Sequence, residues 1–454
     1  MGKVDAADSP RCLYVTLGCA KNEVDTDRMR AQLRLDGIRD AKDVDDADVV
    51  IVNTCSFLAA ATSESIEATL DLAERAEQGV RSKPIVMCGC VPSRYGDDLP
   101  PELPEVAAFV KVDEEDQIVT VVHAVLGLDG EGQGIPASQA RGDVPASLRT
   151  VQGASAYVKI SDGCDRYCSF CAIPYIRGRY HSRGLEDICG EVAELARGGV
   201  REVVLIGQDT GVWGSDLGEG MTLAALLRAV ADVMRPYGGW VRVLYLQPDG
   251  LTDELVGTLR DVPEVLPYLD IPIQHCDERI LSRMGRNGSP AELRDLFARL
   301  REQIPGMVLR TTGMAGFPGE TDDQADELLE FIGEQGFDYV SVFSYSPEDG
   351  TEAAEMEGQV PDDVKLERCQ RLMDLSEELG FAATARHVGE RVDVIIDGAE
   401  EGGAGAELIG HAWFQAPDSD GAVHIEEGEA AVGDVVTCEL VDSFCYELVG
   451  KIVS

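Results

Sequence analysis

Short apolar runs, each followed by a stretch with helical spacing, recur along most of this chain, and that alternation restricts it to parallel-sheet folds more tightly than any other feature. Parallel neighbours need a crossover connection, usually a helix. From residue 13 to about 126 the runs are LYVTL, VVIVNT and PIVMCG, with helical periodicity over 22–35 and 56–78, which predicts βαβ units. The stretch 127–150 is rich in Gly, Ala, Ser and Pro and reads as a linker. From about 154 the alternation resumes with AYVKIS, EVVLIG, VRVLYL, YLDIPI, VLRTTGMAG and YVSVFSY, separated by helices such as 185–197 and 223–234. Six strand–helix repeats imply an open or closed parallel α/β barrel. A helix over 364–381 ends it, and beyond 384 the runs RVDVIID, ELIGHAWF, AVHIEE, DVVTCELV and YELVGKIV predict a small all-β barrel of about five strands. The expected fold class is α/β: an N-terminal parallel-sheet α/β domain at 1–135, a linker at 136–153, a central partial (β/α) barrel at 154–382 and a small all-β barrel at 383–454.

The 454 residues exceed the size at which a single core stops growing, so several domains are expected. No run approaches the roughly 18 apolar residues of a membrane span, and MGKVDAADSPR lacks the basic start and apolar stretch of a secretory signal. The expectation is a soluble, cytoplasmic protein with no membrane partner. In a reducing compartment thirteen cysteines suggest metal binding or catalysis rather than disulfides. Cys12, Cys189, Cys369, Cys438 and Cys445 stand singly in ordinary contexts and read as core filling. A net charge of -44 opposes nonspecific attraction to nucleic acid and suits a basic partner, although general solubility explains it equally well.

Directly after the first strand of the central domain comes KISDGCDRYCSFCAIPYIRGR, a C-x3-C-x2-C segment formed by Cys164, Cys168 and Cys171. Three thiolates on one tight loop hold three irons of a [4Fe-4S] cluster and leave the fourth open for chemistry. A structural zinc needs a fourth protein ligand, and ferredoxin spacing is C-x2-C-x2-C. Tyr167 and Phe170, interleaved between the cysteines, are expected to shield the cluster. The loop resembles the signature of the radical S-adenosylmethionine (SAM) superfamily. That resemblance implies that SAM chelates the open iron and is cleaved by an electron, from an external donor, to a 5′-deoxyadenosyl radical. GQDT at 207–210 resembles the region that contacts the SAM amino group, and GFPGE at 316–320 the turn lining the SAM site. The resemblance thus suggests SAM contacts from Gly207, Gln208, Gly316, Pro318 and Gly319. Arg310, read as lying at a strand end, is a candidate for the SAM carboxylate, with a surface ion pair as the alternative.

Cys19, Cys55 and Cys90 lie far apart, yet each follows an apolar strand: YVTLGC, VIVNTC and IVMCGC. In a parallel sheet the carboxyl ends of the strands share one edge, where ligands bind, so the three thiols are expected to converge as a second cluster site. Singly, each also reads as a buried core cysteine. Cys88 competes with Cys90. Strand alternation puts both on one face, but Cys90 lies at the strand end and is taken as the ligand, with Cys88 in the core.

GCAKNEVDTDRM, VNTCSFL and GCVPSRYGDDL resemble the three cysteine motifs of the methylthiotransferase family of radical SAM enzymes, with one departure in VPSRY, where the family more often has Leu-Ala-Gln before Arg-Tyr. The resemblance covers nearly the whole chain. It implies a methylthiotransferase domain, a radical SAM domain and a C-terminal TRAM barrel, with two [4Fe-4S] clusters and two SAM molecules per turnover. One SAM methylates sulfur on the first cluster, and the other supplies the radical that activates a substrate C–H bond.

The family divides into enzymes acting on tRNA adenosines and a branch acting on the β-carbon of an aspartate of small-subunit ribosomal protein S-twelve, free or in the assembled subunit. CDRYCSFCAIP and HAWFQAPDSDG resemble the second branch. Residues 384–454 carry three Lys and Arg against fifteen Asp and Glu, a net of -12 that repels phosphate and attracts a basic protein. Against this stand Arg177, Arg179 and Arg183 in YIRGRYHSRG, which read as salt bridges, as charge balance for the cluster or as a nucleic-acid contact.

Overall fold

The computed structural model describes residues 9–77, 83–128, 149, 151, 153–402 and 405–453, the side chains of 400–402 and 405–407 excepted. Most of the expected linker at 136–153 therefore lies outside the described residues. The chain forms two compact units. Unit 1 comprises 1–150 with 162–165 and 171–180, and unit 2 comprises 151–161, 166–170 and 181–454.

Unit 1 is built on a five-stranded, all-parallel sheet in the order Arg39–Asp40, Arg11–Thr16, Val49–Thr54, Ile85–Gly89, Val106–Lys111. The central strands Val49–Thr54 and Ile85–Gly89 are buried throughout, which is why they read as continuous apolar runs. Alternate residues feed two cores. Cys12, Val49, Ile51, Val86 and Cys88 pack with Met29, Leu33 and Val122 on one face, and Val50, Val52 and Ile85 with Ala73 on the other. Strand order reverses beside Arg11–Thr16, so the switch point of this doubly wound sheet lies between that strand and Val49–Thr54.

Unit 2 contains six parallel strands in sequence order: Ser155–Lys159, Glu202–Ile206 and Trp240–Val243 in one sheet, and Tyr268–Asp270, Val308–Ala315 and Tyr339–Ser344 in another. A parallel bridge from Val241 to Val265 and a hydrogen bond from Leu246 N to Asp270 O (3.0 Å) join the two halves into one partial barrel. The helix Asp362–Ala385 leads into a closed barrel of five strands, Arg391–Gly402, Gly405–Ala412, Val423–Glu427, Val435–Ser443 and Leu448–Ile452.

The closed barrel docks at the amino end of the parallel strands through buried charge. Arg242 donates to Glu202 Oε1 (2.7 Å) and to the carbonyl of Trp413 (3.0 Å). His411 lies between Glu202 (2.5 Å) and Asp397 (2.6 Å). Asp420 accepts from Tyr268 (2.5 Å) and from Arg310 Nε (3.0 Å). Thus HAWFQAPDSDG, noted for its family likeness, is the segment that plugs the bottom of the partial barrel.

Candidate iron-sulfur and SAM sites

The N-terminal site begins with the turns that lift each cysteine off its strand. Gly18 has φ +105°, and a Cβ there would lie 2.7 Å from Cys55 Cβ, so only glycine allows the chain to pass this close. Cys19 is the N-cap of the helix Ala20–Leu35. The helix also places Asn22 at the centre of the site. Its amide nitrogen donates to the carbonyls of Leu17 and Thr54 (both 2.9 Å), one from each side of the switch point. Its oxygen lies 3.8 Å from Cys19 Sγ and 4.0 Å from Cys90 Sγ. Cys55, fixed by a hydrogen bond from its backbone N–H to Ser65 Oγ (3.0 Å), reaches the same place from the neighbouring strand.

The three strand-end cysteines therefore converge. Burial raises the Cys55 thiol and pushes the Cys90 thiol up to about 12, the latter against the pull of the Arg177 guanidinium. Arg177 is itself buried beside them, bound to Asp25 (3.0 Å), Asp162 (3.3 Å) and Asn22 (2.9 Å), with Nη2 4.0 Å from Cys90 Sγ. Among the described residues no three His, Cys, Asp or Glu side chains close to the spacing of a single metal ion. A four-iron cluster is larger, and a donor set of thiols alone beside a permanent cation suits its soft, anionic core.

Cys88 and Cys90 do not share a face, contrary to the alternation argument. Cys88 is fully buried in the sheet core with Cys12 and Val86, whereas Cys90 packs against Ala172 and Ile176. The strand ends at Gly89, where the backbone turns (φ +91°) and redirects the next side chain. Of the other single cysteines, Cys12 and Cys438 are buried, and Cys189, Cys369 and Cys445 are only partly so.

The loop with Cys164, Cys168 and Cys171 is pinned along its length. In unit 1, Gly163 (φ +72°) passes so close to Arg179 that a Cβ would meet its carbonyl oxygen at 2.2 Å, and Cys164 N donates to Gly178 O (3.2 Å). Asp165 accepts from Arg179 and from Tyr180 N. In unit 2, Arg166 is held by Asp209 (2.6 Å) and Asp249 (2.5 Å), and Ser169 bonds the carbonyls of Met284 and Arg283. Of the interleaved aromatics, Tyr167 is 50% exposed with φ 47°, and Phe170 packs against the apolar group of Ile280, Met284 and Phe317. Cys164 and Cys168 are buried and Cys171 partly so.

At the carboxyl ends of the six strands of unit 2, several buried polar atoms lack a hydrogen-bond partner among the described residues: Ser161 Oγ, both ends of the Gln208 amide, Gln274 Oε1 and His275 Nε2, the last lying 3.7 Å from Glu320 Oε2. Orphans of this kind cost free energy unless a ligand completes them. Gly207 faces Ser161, where a Cβ would lie 2.4 Å from Oγ. Tyr245 (φ 65°) and Gln274 (φ 66°) hold left-handed conformations at this same end, strain of the sort that accompanies ligand sites. Burial lowers His275 to about 4, so it is neutral near pH 7. Sequence reasoning missed Gln274 and His275, which follow YLDIPI directly, as GQDT, singled out by its family likeness, follows EVVLI.

The GFPGE turn is satisfied from within. Gly316 N donates to both oxygens of Glu320, which pairs with Arg368 (2.9 Å). Pro318 O accepts from Arg283, and Gly319 N donates to Gly358 O. Arg310 is the clear correction. It is the third residue of Val308–Ala315, not the last, and at the amino end its guanidinium is taken by Asp420 and by Ser341 (2.7 Å). It belongs to the barrel plug and faces away from the strand ends that carry the orphan polar atoms. Arg179 pairs with Asp165 and Arg183 with Asp187 and Glu191, which supports the salt-bridge reading of all three loop arginines.

Gly18→Ala tests this construction. It is expected to destabilise unit 1 by about 1–3 kcal/mol and to lower iron binding there, because the side chain it would push on is a ligand candidate; thermal unfolding and iron content measure both effects.

Residues 11–111 match the Uncharacterized protein family UPF0004, 158–332 the radical SAM superfamily and 388–453 the TRAM domain. The ribosomal protein uS12 methylthiotransferase RimO of Trichlorobacter lovleyi is 41% identical over 448 residues, covering 97% of each chain. The protein of the same name from Geobacter sulfurreducens is 41% identical over 443 residues, 97% of this chain and 98% of its own. Among solved structures, the radical SAM methyltransferase TsrM of Kitasatospora setae shares the fold at a TM-score of 0.56, with 14% identity over 76% of this chain and 74% of that one. With that identity along almost the entire length and the three domain matches in the same order, the chain belongs to the uS12 methylthiotransferase family of radical SAM enzymes.

Proposed function

We infer that this chain is a radical SAM methylthiotransferase that adds a methylthio group to the β-carbon of an aspartate of ribosomal protein uS12, the S-twelve protein of the small subunit. The observation that carries the reading is the convergence of Cys19, Cys55 and Cys90 around Asn22 at the switch point, in a chain that also holds the C-x3-C-x2-C loop. In this proposal Cys19, Cys55 and Cys90 hold one [4Fe-4S] cluster, and Cys164, Cys168 and Cys171 hold the other. Bound there, the clusters supply the electron that cleaves SAM and the sulfur that is methylated and transferred. The chain's own groups orient and exclude. Ser161, Gln208 and Gln274 offer unpaired donors and acceptors to the polar end of SAM, and neutral His275 adds a ring nitrogen without charge. Gly207 keeps the adjacent strand ends close enough for that. Gly316, Pro318 and Gly319 shape the neighbouring turn rather than donate from it.

The domain limits 1–135, 154–382 and 383–454 remain part of this proposal, as does a cytoplasmic location beside the ribosome. No helix among the described residues is long and apolar enough to cross a membrane. The acidic C-terminal segment, with Glu426, Glu427 and Glu429 exposed, suits a basic ribosomal protein, free or in the subunit. The tRNA alternative rested on Arg177, Arg179 and Arg183, each of which pairs with a carboxylate of this chain. An electron donor from outside the chain completes the set. The deciding experiment is mass spectrometry of ribosomal proteins and tRNA from cells lacking the chain. The methylthio group should vanish from uS12 and stay on tRNA; the reverse would overturn the substrate.

A further inference from the structure

We propose that Arg177 is a positioning residue of the N-terminal thiol site, and that its hydrogen bond toward the Cys90 sulfur holds a cluster on Cys19, Cys55 and Cys90 at a raised reduction potential. This rests on reading those three cysteines as cluster ligands. Arg177 ends the short helix Ile173–Arg177, six positions after Cys171, and only 3% of its side chain is exposed. A guanidinium taken that far out of water must be paired on every side. Nη1 is paired by Asp25 Oδ2 (3.0 Å) and Asp162 Oδ1 (3.3 Å). That would suffice for a purely structural ion pair. Nη2 does something else: it donates to Asn22 Oδ1 (2.9 Å), the oxygen that lies against both Cys19 and Cys90, and it stands 4.0 Å from Cys90 Sγ itself. The acids anchor one edge of the planar fork and aim the other at sulfur, a geometry that Lys cannot reproduce.

Reduction adds an electron to a cluster that is already anionic, and donors to its sulfurs together with a fixed cation stabilise the more negative state. The cation comes from the segment that follows the second thiol loop, and Asp162, which orients it, lies two residues before Cys164. One stretch of chain therefore carries three ligand candidates and sets the electrostatics of the other three.

The test uses the full chain with Cys164, Cys168 and Cys171 replaced by Ala, reconstituted anaerobically so that a single cluster reports, with iron content and a potentiometric titration followed by electron paramagnetic resonance. Arg177→Met should lower the ratio of reduced to oxidised cluster at a fixed potential at least tenfold, which for one electron is about 59 mV. Arg177→Lys, with the charge but not the fork, should fall between. Asp162→Asn removes a negative neighbour and should shift the potential the other way. A full cluster in Arg177→Met at unmoved potential overturns the inference. Should that variant lose its iron, unmoved potentials in Arg177→Lys and Asp162→Asn overturn it instead. No cluster in the parent protein removes the ligand reading, and the inference with it.

Discussion

Replacing Cys164, Cys168 and Cys171 together by Ala should abolish SAM cleavage, whereas replacing Cys19, Cys55 and Cys90 should leave cleavage to 5′-deoxyadenosine in place and stop sulfur transfer. Anaerobically reconstituted chain is expected to hold about eight irons in two clusters, and either triple variant about four. The asymmetry follows from what each trio offers. The C-x3-C-x2-C loop starts three residues after Ser161, whose hydroxyl is one of the orphan polar atoms at the strand ends of the partial barrel, where a small polar ligand has unfilled partners. The strand-end trio has thiols, one amide oxygen and an arginine already held by two acids. Iron analysis, chromatography of SAM products and mass spectrometry of uS12 separate the three readouts. Full transfer activity in the Cys19/Cys55/Cys90 variant would sink the two-site reading; cleavage by the other variant would sink the assignment of SAM to its loop.

The parts of this that were legible beforehand share one property: their signal is local. Each of the six strands of the partial barrel and the five of the closed barrel is an apolar run bounded by turn residues, and all eleven appear within a few residues of expectation. The cysteines of the N-terminal site were found because strand-then-Cys is also a local pattern, and the parallel sheet brings strand ends together whatever their order. What escaped depends on direction or on distance. Arg39–Asp40 has two residues and Val106–Lys111 is diluted by two alanines, so neither stands out as a strand. Alternation placed Cys88 and Cys90 on one face because nothing local says that Gly89 turns the backbone between them. Arg310 was put at the wrong end of its strand, since an apolar run does not announce where it begins. Asn22 and Arg177 lie 155 positions apart, and their meeting at the thiols has no signature in either segment.

Arg242→Met should destabilise unit 2 by about 3–5 kcal/mol, the cost of leaving a buried carboxylate without the guanidinium on its Oε1. Glu202, Arg242 and His411 are all removed from solvent where the closed barrel meets the strands, and none has water to fall back on. The triad also gives the docking a pH signature. Burial alone would lower His411, but Glu202 and Asp397 outweigh it and raise the imidazole to about 9. Burial would raise Glu202, and Arg242 and His411 instead hold it at about 2. The histidine's contribution is therefore complete below its unfolded value near 6.5 and is lost as pH rises through about 9. That of the glutamate is present above its unfolded value near 4.3 and fades only as pH falls toward about 2. The triad itself is flat between about pH 5 and 6.5, while His275, held down to about 4 by burial, adds stability as pH rises toward its unfolded value, so unit 2 should gain stability up to about pH 6.5 and then decline, by at most about 1.4 kcal/mol per pH unit for one proton, up to about pH 9. Unfolding followed by tryptophan fluorescence is a suitable monitor, because Trp413 supplies a carbonyl to Arg242 and Trp240 packs edge-on to His411 at 6.4 Å. In His411→Gln the alkaline slope should disappear while overall stability drops. An alkaline slope that survives in that variant would mean that another group titrates there, and that the buried triad does not govern how the barrel holds to the strands.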